Sequence, residues 1–262
     1  MIARISPRSD QTHGTTFQEP SGKEVVHFTE VYKDFPDGDD IIRALSPTSF
    51  SLHSGEFISI VGPSGSGKST LLTIMGGLQK PTGGSVRLDG MDLSSLSSKQ
   101  LAQLRFSSIG FVLQSSSLVP FLTLEEHLKL RSRYAHEAYN ARKARSLMKE
   151  LGIERIRDKH PAELSGGERQ RAAICVALFG NPALILADEP TASLDTPRAL
   201  AVSDIFFQAA RREKTCVVMV THDERLLGEC DRVFTIEDGH TEETGFPRNH
   251  AKSRDRPAAA NG

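Results

Sequence analysis

Short apolar runs, each closed by polar residues, recur along the chain. Phe57–Val61, Ser108–Val112, Leu184–Ala187, Cys216–Val220 and Val233–Ile236 are almost continuously apolar over four or five residues. Runs of that length, rich in Ile and Val, suit strands buried on both faces. Helical spacing separates several of them, which predicts a largely parallel, helix-covered sheet. Val25 to Phe57 and Ser85 to Asp89 read instead as added antiparallel strand. Two helices are expected beside Gly-rich turns, Lys68 to Met75 and Glu168 to Leu178. The segment from about 115 to 163 breaks the rhythm. It lacks a strand pattern, and Ala141, Ala144, Met148 and Leu151 recur at helical spacing with Gly152 as a stop, so it reads as a helical insertion. Residues 1–22 and 246–262 are polar and aperiodic and read as disordered tails around one domain at 23–245. No internal repeat is visible.

Composition narrows this picture. At 262 residues the chain can bury one substantial core. It has 32 basic and 33 acidic residues, so no global charge argues for nucleic acid. Its apolar runs fall well short of the ~18 residues of a membrane span, and the N-terminus lacks a signal-peptide pattern. Cys175, Cys216 and Cys230 are scattered and read as small core hydrophobes in a reducing cytosol. The basic run Arg131, Arg133, Arg142, Lys143 and Arg145 is interspersed with Glu125, Glu126, Glu137 and Glu150, the pattern of a solvated helix face.

The chemistry begins at Gly62-Pro63-Ser64-Gly65-Ser66-Gly67-Lys68-Ser69-Thr70, between an expected strand and an expected helix. This is the G-x-x-x-x-G-K-[ST] phosphate loop in its proper context. Glycines let backbone N–H groups approach phosphates, and the helix N-terminus adds partial positive charge. Lys68 reaches the β- and γ-phosphates, and Ser69 offers a hydroxyl to Mg²⁺. The strand ending at Ala187 delivers Asp188 and Glu189 to its C-terminal end, where ligands sit in open α/β sheets. Asp188 is expected to hold Mg²⁺ directly or through water, and Glu189 to polarise an attacking water. Gln114 and His222 each follow an apolar strand and are expected to sense γ-phosphate, Gln114 also the metal. Leu164-Ser165-Gly166-Gly167-Glu168 places a second Gly pair at a helix start, a second anion cradle without its own lysine. Two cradles mean either two ligands or one ligand shared with a copy of the chain.

With these residues in order, the chain from about Val25 to Gly239 resembles the ATP-binding subunit of an ABC transporter. The resemblance implies a P-loop NTPase (RecA-like) α/β core with an antiparallel β subdomain and an inserted helical subdomain. It makes Gln114 the Q-loop residue, Leu164 to Glu168 the signature, Glu189 the catalytic base, Ser193-Leu194-Asp195 the D-loop and His222 the switch histidine. The opening Val31-Tyr32-Lys33-Asp34-Phe35 puts Phe35 where an aromatic stacks on adenine, with Tyr32 a weaker candidate. Cofactors implied are ATP and Mg²⁺. The partner implied is a second copy, whose Ser165, Gly166 and Gly167 close over the ATP of the first. A separate membrane permease is also implied, docking around Gln114 to Leu122 and the helical insertion. The chain would then sit on the cytoplasmic face of the cell membrane.

Narrower likeness, in Gly62 to Leu72 and Gly76-Gly77-Leu78, is to the lipoprotein-release, macrolide-efflux and cell-division group; within it Gln114 to Leu122, Leu186 to Asp195 and Thr221 to Leu226 look nearest in pattern to haem-exporting cassettes. Glu126-His127 departs from a common Glu-Asn, and Val176 from a common Arg. These touch subunit coupling more than chemistry. Alternatives remain at this level: a soluble ABC ATPase of DNA repair or translation, and a regulatory or mechanotransmitting ATPase of a cell-envelope complex that moves no cargo. The first usually carries coiled coils or paired cassettes, which this chain lacks.

Overall fold

Between residues 22 and 244 the computed structural model describes all positions except 39, 114–117 and 193. The expected tails (but for Gly22), Gln114 and Ser193 therefore lie outside the described residues.

A six-stranded sheet, in the order β10-β9-β3-β8-β7-β6, forms the centre. Its parallel strands are β3 (Phe57–Val61), β6 (Ile109–Val112), β7 (Leu184–Asp188), β8 (Cys216–Val220) and β9 (Arg232–Glu237). β10 (His240–Thr244) closes one edge as an antiparallel hairpin with β9. The apolar runs are continuous because both faces are covered, and successive residues point to opposite sides. Val217, Met219, Ile185 and Ala187 face helices α3 (Leu124–Tyr134), α4 (Ala141–Glu150), α5 (Gly166–Phe179) and α6 (Thr196–Glu213). Cys216, Val218, Val220, Leu184 and Leu186 face α1 (Lys68–Met75) and α2 (Ser98–Ser108).

The second sheet is antiparallel, in the order β2-β1-β4-β5. It comprises β1 (Glu24–Asp37), β2 (Asp40–His53), β4 (Gly83–Leu88) and the short β5 (Met91–Asp92). Val26, Phe28, Leu45 and Leu52 pack this sheet into the same cluster as α1, so the two sheets share one core.

Most expected elements lie within a residue or two of their positions. The signature helix is the informative difference. It starts at Gly166, two residues earlier than expected, so the Gly pair forms its first turn and Ser165 is its N-cap. Helix α2 runs straight into β6, with no spacer after Ser108. Gly152 has φ +64° just past α4, the left-handed position that a helix stop requires and that glycine adopts without penalty. The three cysteines are free and buried.

Candidate nucleotide site

Parallel register fixes the level at which the site stands. Ile60 pairs with Val220 and Asp188 with Val220, so β3, β8 and β7 end side by side. The phosphate loop, Glu189 and His222 follow directly from those ends. Two backbone bonds seal the edge, Glu189 N–H to Val220 O at 3.0 Å and Thr221 N–H to Ile60 O at 3.2 Å.

The phosphate loop is closely supported from behind. Gly67, at φ +109°, lies against the Ala44 carbonyl of β2, and Gly62, at φ +148°, against the Ile236 carbonyl of β9; a Cβ at either would strike backbone. At Gly65 a Cβ would meet nothing within 4 Å among the described residues. Gly67 caps α1 without a side-chain acceptor, and no acidic residue sits in the first turn. The N-terminal dipole of α1 is thus not offset by the helix's own side chains, an arrangement suited to an anion. Lys68 Nζ donates to the carbonyls of Gly62 at 2.9 Å and Pro63 at 2.7 Å, folding its charge over the loop. Ser66 Oγ is buried with no hydrogen-bond partner among the described residues.

Ser69 Oγ donates to Asp188 Oδ2 at 2.8 Å across 119 residues of sequence. A hydroxyl and a carboxylate side by side are hard oxygen donors, the set through which Mg²⁺ is held alongside phosphates and water. Among the described residues no group of three or more His, Cys, Asp or Glu side chains gathers for a metal. The donors present fit Mg²⁺ bound together with a phosphate.

Glu189 Oε2 stands 2.9 Å from His222 Nδ1, with the carboxylate 16% exposed and the imidazole 75% exposed. Glu189 has φ +49°, an uncommon left-handed conformation for a residue with a side chain. Its carbonyl accepts from Ala192 N–H at 3.2 Å, which closes the turn. Backbone strain of this kind, roughly 1–3 kcal/mol, persists where surrounding bonds over-determine it.

The aromatic candidates separate. Tyr32 packs its ring on Gly83, and Arg43 lies over it at 5.1 Å. Phe35 is half-buried, pairs with Ile42 across β1 and β2, and carries Lys33 Nζ at 5.1 Å from its ring centroid. Ile42 is two residues along β2 from Ala44, which abuts Gly67. Phe35 therefore stands about 7 Å along the strand from the phosphate loop, at ~3.3 Å per residue.

The signature lies elsewhere. Ser165 and Gly167 line a depression with Arg155, Glu168, Arg171, Leu194, Asp195 and Arg198, and no phosphate-loop residue is among them. Unlike α1, α5 carries its own anion. Glu168 Oε2 accepts from Ser165 N–H at 3.0 Å and Ser165 Oγ at 2.8 Å, and its other oxygen accepts from Arg155 Nη2 at 2.9 Å. The bonds from Ser165, with the Arg155 charge behind them, lower the Glu168 carboxyl to about 2. Ser-x-x-Glu ahead of an apolar run is a capping-box signature and could have been read from sequence. Arg155 carries no local signal; only the fold brings it to Glu168.

A family model described as ABC transporter matches residues 45–192. HrtA of Staphylococcus haemolyticus, described as a hemin import ATP-binding protein, is 44% identical over 83% of this chain and 99% of its own length. MacB of Shigella flexneri, a macrolide export ATP-binding/permease protein, is 39% identical over 82% of this chain and 33% of its own. Among solved structures, the cassette MJ0796, dimeric in a post-hydrolysis state with ADP and Pi, superposes with a TM-score of 0.78. It is 36% identical, covering 84% of this chain and all of that one.

Proposed function

This chain belongs to the ABC transporter ATPase family, and on that premise we propose that it is the ATP-hydrolysing subunit of a membrane efflux system for haem or another amphipathic cargo. The Ser69–Asp188 and Glu189–His222 pairs, side by side at the C-terminal edge of one sheet, carry this reading. The macrolide exporter's name supports efflux, whereas the staphylococcal relative is described as an importer. Among the described residues no helix is long and apolar enough to cross a membrane. The reading therefore includes a separate permease that holds the subunit at the cytoplasmic membrane face.

In this mechanism Phe35 stacks on adenine, a contact worth roughly 1–3 kcal/mol per base. Residues Gly62 to Thr70 receive the phosphates through backbone N–H groups, while Lys68 turns from the Gly62 and Pro63 carbonyls to the β- and γ-phosphates. Ser69 and Asp188, with Gln114, would hold Mg²⁺, which when bound supplies neutralising charge at the phosphate oxygens. Glu189 takes the proton of the attacking water; His222 orients that carboxylate and donates to the γ-phosphate. Ser165, Gly166 and Gly167 of a second copy cover the same nucleotide. ATP favours that closed pair because it binds the closed pair better than the open one; only such a difference can shift the equilibrium.

Positioned base catalysis typically contributes ~10²–10⁴-fold. Glu189→Gln should therefore lower kcat by about a hundredfold or more, while nucleotide binding stays near wild type. Steady-state ATPase assays and nucleotide titrations check both. Near-normal turnover in Glu189→Gln rules out Glu189 as the base.

A further inference from the structure

The loop carrying His222 is held on both sides. Before it, Thr221 is fully buried and bonded to Ile60 in the central sheet, and its Oγ1 accepts from Asp223 N–H at 3.1 Å. After it, the Asp223 carboxylate is gripped by the Arg225 fork, Nε on Oδ1 at 2.7 Å and Nη2 on Oδ2 at 2.6 Å. An exposed ion pair two residues apart would by itself contribute little. The third guanidinium nitrogen distinguishes this one: Nη1 donates to Thr196 Oγ1 at 2.9 Å, across 29 positions of sequence.

Thr196 is the first residue of α6, capped by Asp195. Asp195 and Leu194 line the rim of the depression around Ser165 and Gly167. One planar guanidinium therefore spans the signature rim and the His222 loop. A fork seated on both carboxylate oxygens fixes the direction of the remaining N–H. A shift of the α6 N-terminus must then either carry Asp223 with it or break the Thr196 bond. His222 is the residue next to Asp223, and its imidazole stands 2.9 Å from Glu189.

We propose that Arg225 is a positioning residue that couples closure of a second copy over the signature rim to the placement of His222 against Glu189. The inference rests on the ATP-sandwich reading above. Pressure on Leu194 and Asp195 from the partner's nucleotide reaches Asp223 through Thr196 and Arg225. The hydrolytic pair of one copy thereby answers to occupancy of the site that the same copy lids in its partner. This link adds to the cooperativity in ATP that closure of the pair itself confers.

The test compares Thr196→Val, Arg225→Ala, Arg225→Lys and the Thr196→Val/Arg225→Ala double variant in ATPase titrations and direct nucleotide binding. Thr196→Val is isosteric and removes only the acceptor, so it stands as the test even if Arg225→Ala folds poorly. A hydrogen bond to a charged group predicts about a tenfold loss of kcat in each single variant. KM and nucleotide affinity stay near wild type, the Hill coefficient falls below the wild-type value, and the double variant is no worse than Arg225→Ala. Arg225→Lys recovers little, because an ammonium cannot hold both partners in the fork geometry. Unchanged kcat and cooperativity in Thr196→Val overturn the proposal, as do additive losses in the double variant or a loss confined to nucleotide binding. Wild type that hydrolyses ATP with a Hill coefficient of one overturns the coupling and leaves the ATPase reading standing. A wild-type chain without ATPase activity overturns the reading on which both rest.

Discussion

Ser165 has two possible engagements for one hydroxyl. In this structure it donates to Glu168, whose carboxylate also takes the Ser165 N–H and the Arg155 guanidinium. On the ATP-sandwich reading the same hydroxyl also binds a partner's phosphate, for which it must turn away from Glu168, so that cap and lid compete for one proton. The charge on Glu168 sets the balance, and its pH dependence has a definite sign. The folded carboxyl lies at about 2 against an ordinary value of 4.5. Its stabilising contribution is therefore complete above about 4.5 and is lost as pH falls from there toward about 2. Glu168→Gln keeps an acceptor in the box but carries no charge. Its acid unfolding, followed by circular dichroism because the chain has no Trp, should show a flatter limb across that window. Identical limbs in the two proteins would remove Glu168 as a source of acid sensitivity.

At the scale of elements, close approach decides more than propensity. Gly110 in β6 faces α5 so tightly that a Cβ would stand 2.6 Å from the Ala177 carbonyl oxygen and 3.1 Å from its carbon. Both are backbone atoms of a packed helix and neither can turn aside. Gly110→Ala should destabilise the chain by about 1–3 kcal/mol through overpacking. Urea unfolding measures this, and a midpoint equal to wild type would mean that α5 can retreat freely. The apolar runs were legible from their length and composition, the helix Lys68–Met75 from the phosphate-loop motif that opens it, and the helix through Ala141, Ala144, Met148 and Leu151 from its spacing and the Gly152 stop. Helix α2 and strand β10 were not. α2 buries only Leu104 fully, and β10 is an edge strand with no fully buried residue, so neither leaves a strong apolar pattern. Ser97 and Gln100 form a capping box at the start of α2, the local signal that the sequence does carry for this helix.

For the whole molecule, the two helix N-termini define a division of labour. The α1 terminus has a lysine, a hydroxyl and no acid of its own; the α5 terminus has a serine already engaged by its own carboxylate. The first suits primary binding of a triphosphate; the second, on the ATP-sandwich reading, suits a secondary contact made only when closure displaces Glu168. Glu189→Gln with ATP and Mg²⁺ should therefore migrate at twice the monomer mass in size exclusion with light scattering. Lys68→Ala under the same conditions should remain monomeric. A Glu189→Gln protein that stays monomeric at saturating ATP is incompatible with the sandwich.

Sequence by itself determined the local chemistry. The phosphate loop, the Asp188-Glu189 pair and the signature are contiguous, and their glycines, charges and flanking strands constrain one another within a few residues. It also determined the layering, since runs buried on two faces cannot be satisfied without helices on both sides. Only the tertiary structure decided which of these residues act on each other. Ser69 meets Asp188 across 119 positions because β3 and β7 both pair with β8, and parallel register levels their ends. Glu189 meets His222 for the same reason. Arg155 carries no motif, and Arg225, though inside the Thr221–Leu226 run, has no local pointer to Thr196; these partners are set by where α5 and α6 come to rest. Contacts of that kind depend on packing summed over the whole core, and no short window of sequence contains that sum.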